Sequence, residues 1–267
     1  MYINGYLNYT GNKFKLLEQI LPEMDYSKDY FIDLFCGSFV VGANLVTKYD
    51  KILANDIISE LIQIHKLILE SDDIINKTKL LCPDKSDKNA FLNLRTSFNK
   101  EKTPEKLFAL ILSCTNNLMR FNKKFEFNQT FGERTFNTNT QKKIDEYCNS
   151  IRPYKNKIIF SSKHFENVNI IKPSMVYMDP PYSNTEAGYN SYWNKDDDIK
   201  LYEYCKKLDK NGSSFMISGS LNHDGKNCLL LDKLISDNYI VKELVFDYNK
   251  VSRKGKKENQ EIIIKNY

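Results

Sequence analysis

Short apolar runs alternate with amphipathic stretches along most of this chain, and that alternation restricts the fold more than any other sequence feature. The apolar runs end on polar residues or glycine and predict strands at 30–35, 51–54, 157–161, 175–178, 214–218 and 260–264. The amphipathic stretches predict helices at 13–21, 57–69, 195–208 and 226–236. Strands that alternate with helices indicate an α/β fold, with a mainly parallel sheet and helices on both faces.

Residues 59–155 interrupt this alternation. They are predicted to be mostly helical, with helices over 87–98 and 104–119. Asp87 and Thr103 precede these helices and suit their N-caps, because a short polar side chain can accept a hydrogen bond from the first turn. The strand pattern returns afterwards, so the stretch is most simply an insertion into the sheet.

A predicted β-hairpin over 120–136 closes the insertion. Asn122 and the two lysines after it can form a turn, and aromatic residues alternate beyond them. We therefore predict two domains: a sheet domain made of 1–58 and 156–267, and an inserted domain of 59–155.

The composition is that of a folded globular protein. With 267 residues, of which 41% are hydrophobic, the chain can bury a large core. A net charge of +5 is compatible with a polyanionic partner without requiring one. Neither a signal peptide nor a membrane-spanning run is visible, so we expect a cytoplasmic protein without membrane contact or an obligate protein partner. The six cysteines and three histidines are scattered, which predicts reduced thiols and no metal site.

The tetrad Asp179-Pro180-Pro181-Tyr182 directly follows the predicted strand at 175–178 and is the strongest chemical signal. Two adjacent acceptors of this kind suit methylation of an adenine amino group. That group is a poor nucleophile because its lone pair is delocalised into the ring. A carboxylate from Asp179 and a carbonyl from Pro180 would accept its hydrogen bonds and draw the nitrogen toward tetrahedral geometry. The prolines fix the backbone direction, and Tyr182 offers a face on which a flipped base can stack. The same string also suits a strand that simply ends in a proline turn.

A second signal lies at the end of the first predicted strand, where Asp33 and Phe35 precede a glycine turn at Gly37. A glycine in a strand-to-helix turn lets the backbone approach a ligand closely. Asp56 stands about 20 residues past Gly37, where a carboxylate grips a ribose hydroxyl in dinucleotide-binding folds. Asp56 equally suits a helix N-cap, and residues 9–13, taken alone, suit a turn followed by a helix.

In this order, the segments Y-T-G-N-K, F-I-D-L-F-C-G, L-A-N-D and D-P-P-Y resemble the adenine-specific DNA methyltransferases of the Dam family (D12 class), most closely those of T-even phages. The likeness continues through Met119–Asn122, Phe131–Thr135, Ile158–Ser162, His164 and Phe165, and so spans nearly the whole chain. It implies a Rossmann-like methyltransferase sheet that uses S-adenosylmethionine, with an inserted, mostly helical DNA-recognition domain that carries the β-hairpin.

The resemblance also implies the site residues. Those expected to line the S-adenosylmethionine pocket are Tyr9, Lys13, Asp33, Phe35, Gly37, Asp56, Phe165 and Asp179. Phe165 would pack against the adenine ring of the cofactor, although ordinary core packing suits it equally. Arg120, Asn122 and Arg134, on or beside the hairpin, would contact double-stranded DNA, for which the family's usual site is GATC. An isolated arginine is more often a solvated surface charge.

Some residues depart from the family pattern or lie outside it. Ser38 stands where many relatives have a second glycine, which alters the cofactor turn. Thr115 and Thr130 stand where the T-even enzymes have phenylalanine and proline, which puts the GATC target in doubt. The basic stretch 253–257 suits either a solvated hairpin tip or a phosphate contact.

Other activities and one non-catalytic role are alternatives to DNA adenine methylation. Methylation of a cytosine amino group needs similar acceptors, and RNA or a protein glutamine are further substrates, but the order of the motifs and the Dam-like insertion disfavour them. A catalytically silent DNA-binding relative is an alternative of a different class. The intact Asp179 and Tyr182 argue against it, since a silent relative could have lost both.

Overall fold

The computed structural model describes residues 2–7, 9, 11–170, 173–181, 193–223, 226–245 and 261–267. The strands are β1 Tyr30–Asp33, β2 Lys51–Asn55, β3 Ile158–Ser161, β4 Ser174–Met178, β5 Ser214–Ser220, β6 Asn222–His223, β7 Lys226–Asn227, β8 Ile240–Leu244 and β9 Glu261–Lys265. The α-helices are α1 Leu17–Ile20, α2 Val40–Ala43, α3 Ser59–Glu70, α4 Asp73–Leu81, α5 Lys88–Lys100, α6 Pro104–Ser113, α7 Thr138–Ile151, α8 Lys195–Lys210 and α9 Leu229–Ser236.

Within this part of the chain, seven strands form one sheet in the order β3-β2-β1-β4-β5-β9-β8. The first five of these are parallel, whereas β9 runs antiparallel to both β5 and β8. From β1 the chain builds outward through β2 and β3, and then returns to place β4 on the other side of β1. The strand order therefore reverses between β1 and β4. The α/β fold class predicted from the alternating pattern is confirmed.

Both faces of the sheet are covered, which explains why its strands are almost continuously apolar. On β4, Val176 and Met178 pack on one face, in an apolar cluster that includes α8 and α9. Met175 and Tyr177 point to the opposite face, in a cluster that includes α3, α6 and α7. The alternation of side chains along a strand thus divides the core into two layers.

The helix boundaries differ from the predictions at two places. The segment predicted as one helix over 13–21 is the short α1 between 3-10 turns at Phe14–Leu16 and Leu21–Glu23. Pro22 lies in the second of these turns and has no N–H to donate, so it cannot extend α1. The start predicted for α9, at Lys226, is also wrong, because 226–227 pair as β7 with β6.

The insertion lies between β2 and β3 and is mostly helical, as predicted, because it contains α3 to α7. Both predicted N-caps are present: the Asp87 side chain accepts a hydrogen bond from the Ala90 N–H at 2.8 Å, and Thr103 accepts one from Lys106 at 3.4 Å. The apolar residues of the insertion are continuous with the cluster on one face of the sheet. The boundaries of the two domains stay a prediction.

Within 120–128 the predicted hairpin is present. Phe121 and Phe127 form an antiparallel bridge, and the Asn122 N–H donates to the Glu126 carbonyl at 2.9 Å. The Asn122 side chain builds the turn, because its oxygen accepts from the Glu126 N–H at 3.0 Å and its amide donates to the Glu126 carboxylate at 2.8 Å.

The rest of the predicted hairpin pairs with the end of α6 instead. Cys114 forms an antiparallel bridge with Phe131, and the Gly132 N–H donates to the Ser113 carbonyl at 3.0 Å. These bonds draw the chain out of the helical path after Ser113. The predicted helix over 104–119 is therefore wrong beyond that residue, because pairing with a distant segment outweighs its helical periodicity.

Gly132 offers a test of this pairing. A Cβ at Gly132 would lie 2.3 Å from the carbonyl carbon and oxygen of Cys114, and backbone atoms cannot move aside as a side-chain tip can. We expect Gly132→Ala to lower the free energy of unfolding, measured by urea denaturation, by about 2 kcal/mol or more. The control is Gly5→Ala, whose Cβ would have its nearest neighbour at 3.7 Å and should cost below about 0.5 kcal/mol. Equal stability of the two variants would contradict the close approach at Cys114.

Candidate active site

A cavity of about 300 Å³ opens at the carboxyl ends of β1, β2 and β4, beside the reversal of strand order. Open α/β sheets bind their ligands at such points, because neighbouring loops diverge there and leave a crevice. The cavity brings together every described member of the predicted cofactor and catalytic sets: Tyr9, Lys13, Asp33, Phe35, Gly37, Asp56, Phe165, Asp179, Pro180 and Pro181. Tyr182 lies outside the described residues.

The glycine turn is held on both sides. Gly37 has a left-handed backbone, with φ of 47°, and a Cβ there would lie 3.2 Å from the Tyr9 ring. Its N–H donates to the Asp56 carboxylate at 3.1 Å, and its carbonyl lies 2.8 Å from Nε2 of His65. The turn therefore needs glycine and has one defined orientation. Ser38, in place of a second glycine, is buried and also lines the cavity.

Asp56 stabilises two elements at once. One carboxylate oxygen accepts from the Gly37 N–H, and the other accepts from the Ile58 N–H at 3.0 Å, just before α3. Asp56 is not the N-cap of α3, because Ile58 holds that position; its bond to the Ile58 N–H lies one step before the helix, and its carboxylate lines the cavity wall.

Asp33, Asp56 and Asp179 line the same cavity. Asp33 is 2% exposed and accepts a hydrogen bond from the Gly42 N–H at 3.2 Å. Burial raises the pKa of Asp33 to about 8; the Gly42 bond opposes this rise, and the charges of Asp179 and Asp56 each add a smaller increase. Burial also raises the pKa of Asp56. Three acidic side chains thus line the cavity, and the Lys13 ammonium lies against that of Asp179.

An aromatic wall forms another side of the cavity. The ring centroids of Phe35 and Phe165 lie 5.7 Å apart, and Trp193 lies 5.7 Å from Phe35 and 5.8 Å from Phe165. The Trp193 indole donates to the buried Asp198 carboxylate at 2.7 Å, which fixes the ring against α8. Sequence reasoning missed Trp193. The only signal was a tryptophan directly before Asn194, the N-cap of α8.

The most connected corner of the cavity surrounds Asp179. Lys13 is 8% exposed, and its ammonium lies 2.7 Å from one Asp179 carboxylate oxygen. The Ser218 hydroxyl lies 3.2 Å from the other oxygen, and the Tyr177 hydroxyl lies 2.8 Å from Ser218. Because a carboxylate only accepts, Ser218 donates to Asp179 and Tyr177 donates to Ser218. The Asp179 side chain is therefore oriented from both sides.

The insertion reaches the same cavity. Leu118, Met119 and Phe125 line its rim, and none of them was predicted as a site residue. Phe125 is 38% exposed at the end of the hairpin turn and has a left-handed backbone, with φ of 55°. A bulky residue in that region is unusual and concentrates at functional sites.

The three residues predicted to contact DNA have partners within the insertion. The Arg120 guanidinium donates to the Asn128 side chain at 2.8 Å and to its carbonyl at 3.1 Å. Arg134 is exposed and donates to the Asn117 side chain at 2.6 Å. The Asn122 side chain forms the turn. DNA contact by these residues stays a prediction.

The described residues also bear on the expectations for cysteines, metal ions and membranes. The six cysteines are free thiols. Among the residues described, no group of three or more His, Cys, Asp or Glu side chains is placed to hold a metal ion. No described helix combines the length and apolarity that crossing a bilayer requires. The basic stretch 253–257 is outside the described residues.

Curated proteins of similar sequence are DNA methylases. The modification methylase StsI of Streptococcus sanguinis is 32% identical over 288 residues, which cover 100% of this chain and 43% of that protein. The type II methyltransferase M.FokI of Planomicrobium okeanokoites is also 32% identical, again over 100% of this chain and 43% of its own length. A DNA adenine methylase of Serratia marcescens is 28% identical over 70% of this chain and 69% of its own. The chain thus spans less than half the length of the first two relatives.

A protein family matches most of the chain. Residues 9–258 match the family described as D12 class N6 adenine-specific DNA methyltransferase. That range includes the glycine turn, the insertion and the Asp179 motif. The resemblance to this class is confirmed, whereas the closer likeness to T-even phage enzymes stays a prediction. The chain belongs to the D12 class of N6 adenine-specific DNA methyltransferases.

Proposed function

We propose that this chain transfers the methyl group of S-adenosylmethionine to the N6 amino group of a flipped adenine in a short duplex DNA site, with GATC as the first candidate sequence. The observation that carries the proposal is the position of Asp179. Its carboxylate is oriented by Lys13 and Ser218 inside a cavity that the hairpin of the insertion also reaches. One cavity would thus join a methyl-donor pocket to a base-binding pocket.

The residues around the cavity fit S-adenosylmethionine. The sulfonium and ammonium groups of that molecule are cationic, and three carboxylates line the wall. Phe35, Phe165 and Trp193 offer aromatic surface for its adenine ring. Gly37 leaves the backbone open to close approach. The cofactor would supply an electrophilic methyl group.

The Asp179 corner would activate the adenine amino group. The carboxylate and the Pro180 carbonyl would each accept a hydrogen bond from N6. The N6 hydrogens become more acidic as the nitrogen attacks, so these bonds strengthen toward the transition state. Stacking and hydrogen bonds in the pocket would offset the cost of extruding the base.

The insertion would read the DNA. Lys123, Lys124 and Arg134 are exposed on or near the hairpin, and cationic side chains there can neutralise phosphates. The Thr115 and Thr130 hydroxyls lie 2.9 Å apart where the T-even enzymes have other residues. The Dam-like segment supports GATC as the target, and this threonine pair is where the segment departs from the T-even enzymes.

Methylation of unmodified genomic DNA by the purified protein tests the proposal. Single-molecule sequencing should find N6-methyladenine in one short motif. We expect Asp179→Asn to lower kcat by about 100-fold or more, because a neutral amide is a weaker acceptor and its NH₂ group opposes the N6 hydrogens. The control is Asp50→Asn, an exposed residue directly before β2 and so at the amino ends of the parallel strands, away from the cavity. It should keep wild-type activity. Modified cytosine in place of N6-methyladenine, no modified base despite cofactor binding, or full activity of Asp179→Asn would contradict the proposal.

The pKa of Asp33 predicts that cofactor binding releases a proton. With a pKa of about 8, Asp33 is mostly protonated near neutral pH, and a nearby cation favours the ionised form. Cofactor affinity should therefore rise with pH and level off above about 8. Without cofactor, the same group binds more protons in the folded than in the unfolded chain, so its contribution to stability is lost as pH rises toward that value.

Titration calorimetry near neutral pH, in buffers of different ionisation enthalpy, measures the proton release. The wild type should release up to about one proton per site, Asp50→Asn should match it, and Asp33→Asn should release almost none. Proton release that persists in Asp33→Asn would assign the titration to another group.

Arg134 is the best placed of the predicted DNA contacts to be tested singly. We expect Arg134→Ala to weaken DNA binding about 10-fold with little change in thermal stability, because its exposed side chain makes one described hydrogen bond. Arg120→Ala should also destabilise the hairpin, since it removes two bonds to Asn128. Binding at several salt concentrations distinguishes a phosphate contact, which lowers the salt slope by about one, from a base contact. The control is Lys48→Ala, which changes an exposed lysine between α2 and β2. Affinity of Arg134→Ala equal to that of this control would exclude Arg134 from the interface.

A further inference from the structure

A buried chain of hydrogen bonds reaches the cofactor turn from the side opposite the cavity. His65 lies within α3 and is 1% exposed. Its Nε2 is 2.8 Å from the Gly37 carbonyl oxygen, and its Nδ1 is 2.7 Å from the hydroxyl of Tyr6, which is 2% exposed. Neither residue lines the cavity.

The chemistry of the three groups assigns the protons. A carbonyl oxygen only accepts, so Nε2 of His65 carries the hydrogen. Burial lowers the pKa of His65 to about 4, which keeps the ring neutral with a single N–H. Nδ1 must then accept, and the Tyr6 hydroxyl donates to it, because burial also raises the pKa of that phenol. The Tyr6 hydroxyl therefore donates to His65, and His65 donates to the Gly37 carbonyl.

The His65 bond orients the peptide that joins Gly37 to Ser38. Gly37 is left-handed, and its N–H is already directed at Asp56. Rotation of the next peptide plane would move the Gly37 carbonyl and the Ser38 N–H together, and both residues line the cavity. Loss of the His65 donor would leave a polar oxygen facing apolar side chains, which favours such a rotation.

Tyr6 is itself held by the insertion. Its ring contacts Phe108 of α6 at a centroid distance of 5.7 Å and Tyr147 of α7 at 4.9 Å. His65 stacks on Phe160 at 6.2 Å and contacts Phe39 at 6.1 Å. Helices of the insertion therefore fix Tyr6, at the start of the hydrogen-bond chain. Phe39 and Phe160, which lie outside the insertion, fix the His65 ring.

We infer that His65 and Tyr6 are positioning residues that hold the Gly37 carbonyl in the orientation S-adenosylmethionine requires, and that the insertion thereby supports the methyl-donor pocket. The inference rests on the proposed function for the identity of the ligand. It assigns no chemical step to either residue. Their loss should act on cofactor affinity and leave the reaction of the bound cofactor nearly unchanged.

Three variants test this. We expect His65→Leu to raise the Kd for S-adenosylmethionine, measured by calorimetry, about 10-fold, while kcat at saturating cofactor and the KM for DNA change less than about two-fold. His65→Gln places an amide N–H near the position of Nε2 and should recover most of the affinity. Tyr6→Phe keeps the ring contacts but removes the hydroxyl that holds Nδ1, so the imidazole is less firmly oriented toward the Gly37 carbonyl and the Kd should rise about three-fold.

Tyr49→Phe is the matched control. Tyr49 is 1% exposed and donates to the Asp25 carbonyl at 3.0 Å, away from the turn. It should lose thermal stability comparably to Tyr6→Phe and keep the wild-type Kd. If His65→Leu does not fold, His65→Gln and Tyr6→Phe against Tyr49→Phe still decide the question.

An unchanged Kd in folded His65→Leu or Tyr6→Phe, or an equal rise in Tyr49→Phe, would overturn the inference. A wild-type protein that binds S-adenosylmethionine but methylates no DNA would instead overturn the proposed function. The comparison of Kd values would still judge the role of His65 in that case.

Discussion

The parallel pairing of β1 with β4 is the constraint on which the site depends. Asp33 pairs in register with Tyr177, so the chain leaves both strands at the same edge of the sheet. That register places the end of β1 beside Asp179 and directs the Tyr177 hydroxyl toward Ser218 on β5. A shift by one residue would turn Tyr177 to the other face and remove the bonds that orient Asp179.

The position of the insertion follows from the same topology. It leaves the sheet after β2 and returns at β3, at the far side of the strand order from β4 and β5. The side chains around Asp179 therefore come from outside the insertion, while its hairpin still reaches the rim of the cavity. Its helices share an apolar core with one face of the sheet, so the insertion and the sheet stabilise each other.

Much of the fold and the site could be predicted from local sequence patterns. The strands of the large sheet that end at the cavity, the glycine turn and the Asp56 and Asp179 positions are marked by apolar runs that stop at glycine, aspartate or proline. These signals are local, because a strand end and the residues that follow it are adjacent in the chain.

What could not be predicted depends on distant contacts. His65 is one polar residue on an otherwise apolar face of α3, and only the fold shows that it meets Gly37 and Tyr6. Trp193 belongs to the cavity because Phe35 and Phe165 come from two other strand ends. The early end of α6 has a similar cause, since the Cys114–Phe131 bridge competes with helix formation.

The aromatic wall has one more consequence, because the chain contains a single tryptophan. All indole emission of this chain arises from Trp193, whose ring contacts two of the cavity's other aromatic residues and whose N–H is bonded to a buried carboxylate. A molecule entering the cavity would displace water next to that ring. Trp193 fluorescence therefore reports on this wall without an added label. It distinguishes binding in the cavity from binding at the hairpin.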